Sequence, residues 1–298
     1  MATKAPVPPG GAGGRSRREG PLTAPAVQAR KGGIPLVMLT AYDAPGARMA
    51  DEGGVDLILV GDSVAMVVLG YDTTLDVTVD DIAHHTAAVA RAKPKAMIIG
   101  DLPWMSYHVS AEESVRNAAS LVRAGAAAVK LEGGRKRLPM VRAILDAEIP
   151  VMGHIGLTPQ SVNVMGGFKV QGKTDDAAQV LVDDAIALAE AGCFSLVLEG
   201  VPSETARLVT EAVPIPTIGI GAGPHCDGQV LVFHDLLGIE ERVLPKFVRR
   251  YASLKTDAVA AIARFAEDVR GGHFPSAEES YGGGGRIYGG GGAERATA

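Results

Sequence analysis

The sequence predicts an α/β protein whose parallel strands close into a (βα)8 barrel, the TIM-barrel fold. Apolar segments of strand length alternate with segments of helical length between residues 34 and 220. The strand-like segments are apolar almost without interruption, which is typical of a parallel sheet that helices cover on both faces. Several of them end in an acidic residue. Such ends meet at one rim of a closed barrel, whereas the alternative, an open doubly wound sheet, gathers them only at its switch point.

The order of the elements follows from the same pattern. Strands are predicted at residues 34–40, 55–61, 96–101, 127–132, 149–153, 195–199 and 217–220. An eighth strand, around residues 243–248, is a weaker prediction. Helices are predicted between the strands, for example at residues 78–92, 111–124, 137–148, 175–191 and 203–212. The second of these helices begins with a predicted capping box, because Glu113 follows Ser110 three residues later.

Length and composition limit the class of protein. With 298 residues and 47% hydrophobic content, the chain is large enough for one barrel domain. A net charge of −5 argues against nucleic acid as the main partner. No apolar segment approaches the roughly 20 residues that cross a membrane, and residues 1–30 lack the apolar centre of a signal peptide. Because the two cysteines, Cys193 and Cys226, suit a reducing compartment, we expect a cytoplasmic protein that acts on small molecules.

The two ends of the chain differ in composition from the rest. Residues 1–30 are rich in Pro, Gly, Ala and Arg, and residues 281–298 are rich in Gly. Neither segment has enough apolar side chains to form a core, so we predict a disordered basic arm and a flexible tail. The predicted catalytic barrel is residues 31–280, and we expect both ends to be dispensable for catalysis.

Charged residues at strand ends predict where the active site lies. Lys130 and Glu132 lie two residues apart at the end of the fourth predicted strand, so their side chains share a face. A buried cation and anion there are costly unless they face a polar cavity. Asp62, Asp101 and Glu199 follow or end other apolar strands in the same way. This pattern indicates one site assembled from several strand ends.

Asp62 and Asp101 are the first candidates for metal binding. Carboxylate oxygens from two strands, with other positions left to water and substrate, are how proteins hold Mg²⁺; alternatively, each aspartate only caps the loop after its strand. Glu132 is a further candidate ligand, direct or through water. Ser63 either binds a substrate oxygen or satisfies its own turn. Lys130 either offsets the charge of a substrate carboxylate or enolate, or forms a structural salt bridge with Glu132.

Two further residues have predicted roles in proton transfer and hydrogen bonding. Glu199 has Val197, rather than a lysine, two residues before it, which makes it the best candidate for a general base. His154 lies at a strand end, where a neutral imidazole can donate to a substrate oxygen; a core histidine bonded to the backbone is the alternative. The polar, Gly-rich segment 156–174 is long for a strand-to-helix connection, and long loops on this face are often lids.

Seven segments of the chain together form a recognisable set. They are Thr40-Ala41-Tyr42-Asp43, Val60-Gly61-Asp62-Ser63, Asp101-Leu102-Pro103, Val129-Lys130-Leu131-Glu132-Gly133-Gly134, Gly153-His154-Ile155-Gly156-Leu157-Thr158-Pro159-Gln160-Ser161, Lys169-Val170-Gln171-Gly172 and Gly219-Ile220-Gly221-Ala222-Gly223. This set resembles the ketopantoate hydroxymethyltransferase family from about residue 31 to residue 275. Ala65, Trp104 and Gly200 depart from the residues usual in the family, but all three flank the candidate site without replacing a charged group.

The resemblance implies a fold, a reaction and a set of site residues. The implied fold is a barrel of the phosphoenolpyruvate/pyruvate type, assembled into a homodecamer. The implied reaction transfers a one-carbon unit from 5,10-methylenetetrahydrofolate to 3-methyl-2-oxobutanoate and forms ketopantoate (2-dehydropantoate) for pantothenate biosynthesis. The implied residues are Asp62, Asp101 and Glu132 for Mg²⁺, Ser63, Asp101 and Lys130 for the substrate, and Glu199 as the proton acceptor.

Two other functions are compatible with parts of the pattern. A lyase or mutase of the same barrel superfamily would share the metal and the acids. Such an enzyme normally carries a catalytic cysteine loop, however, and neither Cys193 nor Cys226 lies in that context. A non-catalytic barrel that serves as a scaffold predicts that the charged strand ends are replaced, and here all of them remain.

Overall fold

A computed structural model describes residues 20–240 and 244–281 of the chain. The strands are β1 (Leu36–Thr40), β2 (Leu57–Val60), β3 (Met97–Asp101), β4 (Ala128–Glu132), β5 (Val151–Gly156), β6 (Ser195–Glu199), β7 (Thr217–Ile220) and β8 (Gly228–Leu231). The helices are α1 (Ala24–Gln28), α2 (Ala44–Glu52), α3 (Val64–Val67), α4 (Val79–Arg91), α5 (Ala111–Arg123), α6 (Leu138–Asp146), α7 (Val162–Met165), α8 (Asp175–Ala191), α9 (Ser203–Ala212), α10 (Phe233–Leu237) and α11 (Leu254–Gly271).

The eight strands form a closed parallel barrel in sequence order, which confirms the predicted fold. Parallel pairing of β1 with β8, with Leu36 opposite Gly228, closes the barrel. A Cβ atom at Gly228 would come within 2.5 Å of the Leu36 carbonyl oxygen, so the closing strands approach each other only because this residue is glycine.

The position predicted for the eighth strand was wrong. The strand lies at Gly228–Leu231, and residues 244–248 form turn and irregular structure; Val243 is outside the described residues. Pro245 lacks the N–H that a central strand donates to its neighbour. The true strand has only four residues and contains Gly228 and Gln229, so its apolar pattern is weak.

Two apolar clusters organise the barrel. The side chains inside it include Met38, Leu57, Leu59, Met97, Ile99, Ala128, Met152, Val197, Ile218 and Val230. The larger cluster joins the outward faces of the strands to the surrounding helices, as Val129 and Leu131 of β4 and Leu188 of α8 illustrate. Because side chains alternate along a strand, a residue two positions after an interior residue also points inward.

Residues 20–30 of the segment before the barrel contain ordered structure, so the predicted disorder of residues 1–30 is wrong for this part. Within it, residues 24–28 form α1, and Val27 is fully buried in the interior cluster. The backbone N–H of Leu22 donates to the Lys95 carbonyl at 3.0 Å. Ordered structure that packs against the barrel therefore begins before residue 31. The rest of the predicted arm (1–19) and residues 282–298 of the predicted tail lie outside the described residues.

Helix starts agree with the sequence patterns, with one difference. The Ser110 hydroxyl accepts a hydrogen bond from the Glu113 backbone N–H at 3.1 Å, but the reciprocal bond is not formed, so the predicted capping box is half complete. A complete box begins α4, where Thr78 and Asp81 bond each other. In the described part of the chain, no helix combines the length and apolarity needed to cross a bilayer.

Candidate active site

A cavity of about 310 Å³ lies at the carboxyl ends of the strands. All seven residues that the sequence singles out line it, namely Asp62, Ser63, Asp101, Lys130, Glu132, His154 and Glu199. The strand register explains this convergence, because Asp101 pairs with Lys130 across β3 and β4, and Glu132 pairs with His154 across β4 and β5.

Lys130 and Glu132 share the inner face of β4, as predicted. Ala128, two residues before Lys130, belongs to the interior cluster, whereas Val129 and Leu131 belong to the outer one. Both charged side chains are almost fully buried, with 4% and 3% of their surfaces exposed. The apolar interior of the barrel therefore ends in a layer of charged groups.

The main partner of Lys130 is Asp101 rather than Glu132. The Lys130 Nζ donates to Asp101 Oδ1 at 2.6 Å, while Glu132 Oε1 lies 4.0 Å away. Burial disfavours the ammonium, but the fields of Asp101, Glu132 and Asp62 outweigh burial and raise the pKa of Lys130 above its usual value. Lys130 therefore carries a positive charge into the cavity at neutral pH.

Asp62 and Asp101 are two neighbouring acidic side chains whose ionisation the site disfavours. Burial raises the pKa of Asp62 well above its usual value, and the nearby charges of Asp101 and Glu132 raise it further. Burial also raises the pKa of Asp101, although Lys130 opposes the effect. The backbone N–H of Asp62 donates to Asp101 Oδ2 at 3.2 Å, which holds the two carboxylates together. An added cation would offset the unfavourable interaction between these two carboxyl groups.

His154 lies between two glutamates, which favour the charged imidazole over the neutral one that the sequence predicts. Its Nδ1 is 3.3 Å from Glu132 Oε1, and its Nε2 is 3.4 Å from Glu199 Oε2. Burial and Lys130 oppose protonation, but Glu132 and Glu199 outweigh them and raise the pKa of His154 to about 9. The ring makes ion pairs with both carboxylates, so the alternative of a core histidine bonded to the backbone does not apply either.

Glu132 and Glu199 differ in their surroundings. Burial opposes ionisation of Glu132, but His154 and Lys130 outweigh it and lower its pKa. The Glu132 Oε2 also accepts a hydrogen bond from the Gln160 backbone N–H at 3.0 Å. Glu199 has His154 as its ion-pair partner, and 18% of its side chain is exposed. Glu132 is therefore fixed as an anion, whereas Glu199 is open to the cavity.

Three neutral residues complete the site, and the sequence analysis did not assign them a role. The Tyr42 hydroxyl lies 2.9 Å from Ser63 Oγ and holds that serine at the cavity wall. Gln160 hydrogen-bonds Asp62, and Tyr107 hydrogen-bonds Gln160. Tyr42 and Gln160 lie in two of the segments that carry the family resemblance, which is the signal that could have identified them.

The donor set suits a hard divalent cation. Within residues 20–240 and 244–281, no three His, Cys, Asp or Glu side chains form a ready-made metal cage. Asp62 and Asp101 nevertheless supply carboxyl oxygens from the ends of neighbouring strands, and two such oxygen donors side by side favour a cation. Asp62 Oδ1 accepts no hydrogen bond from the described residues. The residues present therefore fit Mg²⁺, with Glu132 held further back by Gln160 and His154.

The segment 156–174 lies beside the cavity, where the sequence predicts a lid. Pro159 and Phe168 of this segment line the cavity, and Phe168 is 55% exposed. The segment follows β5 and is anchored at two points to the end of β6. The Leu157 N–H donates to the Glu199 carbonyl, and the Gln171 N–H donates to the carbonyl of Gly200, the residue after β6. These anchors hold the loop across the Glu199 end of the site.

Comparison with known proteins identifies the family of the chain. The family model described as ketopantoate hydroxymethyltransferase matches residues 22–277. The 3-methyl-2-oxobutanoate hydroxymethyltransferase of Syntrophobacter fumaroxidans is 56% identical over 262 residues, covering 88% of this chain and 93% of the relative. The 3-methyl-2-oxobutanoate hydroxymethyltransferase 2 of Bradyrhizobium diazoefficiens is 58% identical over 261 residues, covering 87% and 89%.

Solved structures share the fold at low identity. Phosphonopyruvate hydrolase is 14% identical with a TM-score of 0.54, covering 87% of this chain and 93% of that chain. The 2,3-dimethylmalate lyase, described as a PEP mutase/isocitrate lyase superfamily member, is 18% identical with a TM-score of 0.54, covering 85% and 89%. These two structures support the barrel type alone, whereas the family model and the relatives decide the family. The chain belongs to the ketopantoate hydroxymethyltransferase family.

Proposed function

We propose that this protein is a 3-methyl-2-oxobutanoate hydroxymethyltransferase that takes its one-carbon unit from 5,10-methylenetetrahydrofolate and forms ketopantoate for pantothenate biosynthesis. The observation that carries the proposal is the cavity itself. It holds the paired carboxylates Asp62 and Asp101, the buried cation Lys130 and the accessible carboxylate of Glu199. Relatives 56% and 58% identical bear the name of this activity.

The site offers complementary groups to a 2-oxo acid. Lys130 supplies a buried positive charge for the substrate carboxylate or the enolate that forms from it. Ser63, fixed by Tyr42, is placed to hydrogen-bond a substrate oxygen. Asp62 and Asp101 would hold Mg²⁺, and Glu132 would contribute directly or through water. When bound, the ion would polarise the ketone and thereby make the C3 proton more acidic.

In this proposal Glu199 is the general base. Its carboxylate takes the proton from C3, and the charged His154 next to it keeps Glu199 oriented. The one-carbon unit is bonded to two nitrogens of the folate, and both of these C–N bonds break. One is replaced by the bond to C3 of the enolate, and the other by a bond to the oxygen of water, which becomes the product hydroxyl. The proton taken from C3 and one proton of the water go to the two nitrogens, and tetrahydrofolate leaves as an amine.

The proposal also includes the oligomeric state and the cellular location of the protein. The proposal of a homodecamer is based on the family resemblance and on the exposed apolar side chains of the helix α11. A cytoplasmic location suits an enzyme with small-molecule substrates, and Cys193 and Cys226 are both unpaired.

A turnover assay tests the proposal. Purified protein is incubated with 3-methyl-2-oxobutanoate and 5,10-methylenetetrahydrofolate, and ketopantoate is measured by mass spectrometry. We expect product only when both substrates are present, loss of turnover with a chelator, and recovery with Mg²⁺. Cleavage of a 2,3-dialkylmalate without folate, in place of ketopantoate formation, would instead support the lyase alternative.

A further inference from the structure

Gln160 connects candidate metal-binding residues that come from two different strands. It lies in a 3₁₀ turn (Pro159–Ser161) after β5 and is 5% exposed. Its side-chain Nε2 donates to Asp62 Oδ2 at 2.9 Å, and its backbone N–H donates to Glu132 Oε2 at 3.0 Å. One residue therefore contacts the carboxylate after β2 and the carboxylate at the end of β4.

The orientation of the Gln160 amide is fixed by its other partners. Nε2 also donates to the Leu102 carbonyl at 3.0 Å, which can only accept. The Tyr107 hydroxyl accepts from the Glu132 backbone N–H at 3.2 Å, so its own proton is free to donate to Gln160 Oε1 at 2.6 Å. A flipped amide would place its oxygen against two acceptors, and the network therefore keeps an N–H directed at Asp62.

These contacts have a consequence for the geometry of the site. The Gln160 N–H engages Asp62 Oδ2 and leaves Oδ1 without a hydrogen bond from the described residues. The backbone N–H of the same residue restrains Glu132, which Lys130 and His154 already attract. Partners of this kind, which bind the ligands rather than the ion, commonly set the affinity of a metal site.

We infer that Gln160 is a positioning residue that presents Asp62 and Glu132 to a hard divalent cation and links the segment 156–174 to that site. The inference rests on the proposed function for the identity of the ion, and it assigns Gln160 no part in proton transfer. Tyr107 acts with it, because its hydroxyl sets the direction of the amide.

Binding of Mn²⁺ to the full-length protein tests this inference without turnover. Mn²⁺ prefers the same oxygen ligands as Mg²⁺, and free Mn²⁺ is measured directly by electron paramagnetic resonance. Gln160→Met keeps the length of the side chain but removes the two N–H donors of the side-chain amide, while the backbone N–H that bonds Glu132 remains. We expect about 10- to 100-fold weaker binding of Mn²⁺. Tyr107→Phe removes the bond that orients the amide, together with the bond from the Glu132 backbone N–H to the same hydroxyl, and we expect a smaller loss in the same direction.

Gln171→Ala is the matched control. Gln171 lies on the same loop, and its amide makes a local bond to the Lys169 carbonyl at 2.8 Å. We expect its Mn²⁺ affinity to equal that of the unmodified protein. Circular dichroism and melting temperature identify variants that fail to fold; if Gln160→Met is among them, Tyr107→Phe decides the outcome.

Kinetics separate positioning from chemistry. For Gln160→Met we expect the Mg²⁺ concentration at half-maximal rate to rise, while kcat at saturating Mg²⁺ returns to within a few-fold of the original. Unchanged Mn²⁺ affinity in the folded variant would overturn the inference, as would a low kcat that saturating Mg²⁺ does not restore. If the unmodified protein forms no ketopantoate, the proposed function fails separately, since Mn²⁺ binding is measured without substrate.

Discussion

At the scale of single residues, Glu132 and Glu199 differ in the groups that surround them. Glu132 accepts a hydrogen bond from the Gln160 backbone and lies near both Lys130 and His154. These groups already stabilise its negative charge. Glu199 has His154 as its ion-pair partner and retains access to the cavity, with 18% of its side chain exposed. A general base must reach the proton that it removes. Glu199 therefore suits proton transfer, and Glu132 suits charge binding.

Replacing Glu199 with Gln tests this division. The amide keeps the shape of the side chain but cannot take up the C3 proton. We expect exchange of the C3 proton of 3-methyl-2-oxobutanoate with deuterated water, followed by NMR without folate, to fall by about 10²- to 10⁴-fold. Mn²⁺ binding should persist. Glu190→Gln, at an exposed position on α8, is the control; exchange in Glu199→Gln close to that of this control would mean that another group is the base.

The residues of the site were predictable to different degrees. The seven candidates were found because each is a polar side chain close to the end of an apolar strand, and the carboxyl ends of barrel strands converge. The two carboxylates beside His154 were not anticipated, because only the strand register brings Glu132 and Glu199 to its two sides. Gln160 and Tyr107 were missed because neutral loop residues have no periodic pattern.

At the scale of elements, apolar strands and long helices were predicted well. The helix α8 and the four-residue strand β7 agree with their predicted limits at both ends. The strand β8 was missed because Gly228 and Gln229 interrupt its apolar pattern, and the helix α1 was missed because it has only five residues and lies in a segment rich in Pro, Gly and Ala. Both short elements matter, because β8 closes the barrel and α1 packs against its interior cluster.

The ordered part of the N-terminal segment should be needed for stability. A chain that begins at Gly20 retains α1, whereas a chain that begins at Lys31 loses the buried side chains of Leu22 and Val27. Burying one such side chain contributes about 1.5–3 kcal/mol, so we expect the shorter chain to lose about 3–6 kcal/mol of unfolding free energy. Urea unfolding at equal protein concentration measures the difference. Equal stability of the two chains would restore the prediction that all of residues 1–30 are dispensable.

Asp227 connects the loop after α1 to the strand β7. From its contacts we predict that the stability of the protein depends on pH. Its Oδ2 accepts from Lys31 Nζ and the Thr217 N–H, both at 2.9 Å, and its Oδ1 accepts from the Gly32 N–H at 2.8 Å. Burial opposes ionisation, but these bonds outweigh it and lower the pKa of Asp227 below its usual value. The carboxylate therefore stabilises the folded state above about pH 4, and this contribution is lost as the pH falls through the lowered folded-state pKa.

Asp227→Asn should reveal that dependence. At pH 7 we expect the variant to lose about 1.5–3 kcal/mol of unfolding free energy, the range for hydrogen bonds to a charged group. The difference from the original protein should shrink as the pH falls below about 4. Asp146→Asn, at an exposed position that ends α6, should change little at either pH. A difference for Asp227→Asn that is constant from pH 7 to pH 3 would show that the charge does not contribute.

At the scale of the whole molecule, the described chain leaves one long helix uncovered. None of the 18 residues of α11 is buried. Its large apolar side chains Val259, Ile262, Phe265 and Val269 are between 47% and 66% exposed, and they recur along one face of the helix. Sequence alone could not show this, because whether a helix is covered depends on the completed barrel. A second copy of the chain is the occupant that fits the proposed homodecamer, since apolar stripes of this kind mark interaction surfaces.

Ile262→Glu tests whether this stripe carries the assembly. A glutamate buried without a partner in an apolar contact is costly, so the variant should form smaller species than the original protein at micromolar concentration. Ala260→Glu introduces the same charge at an exposed position about 160° away around α11 and should leave the assembly intact. Sedimentation velocity measures the mass of each species, and circular dichroism shows whether the helix persists. If the original protein sediments as a monomer, the homodecamer is wrong. If it is oligomeric and Ile262→Glu has the same mass, another surface holds the copies together.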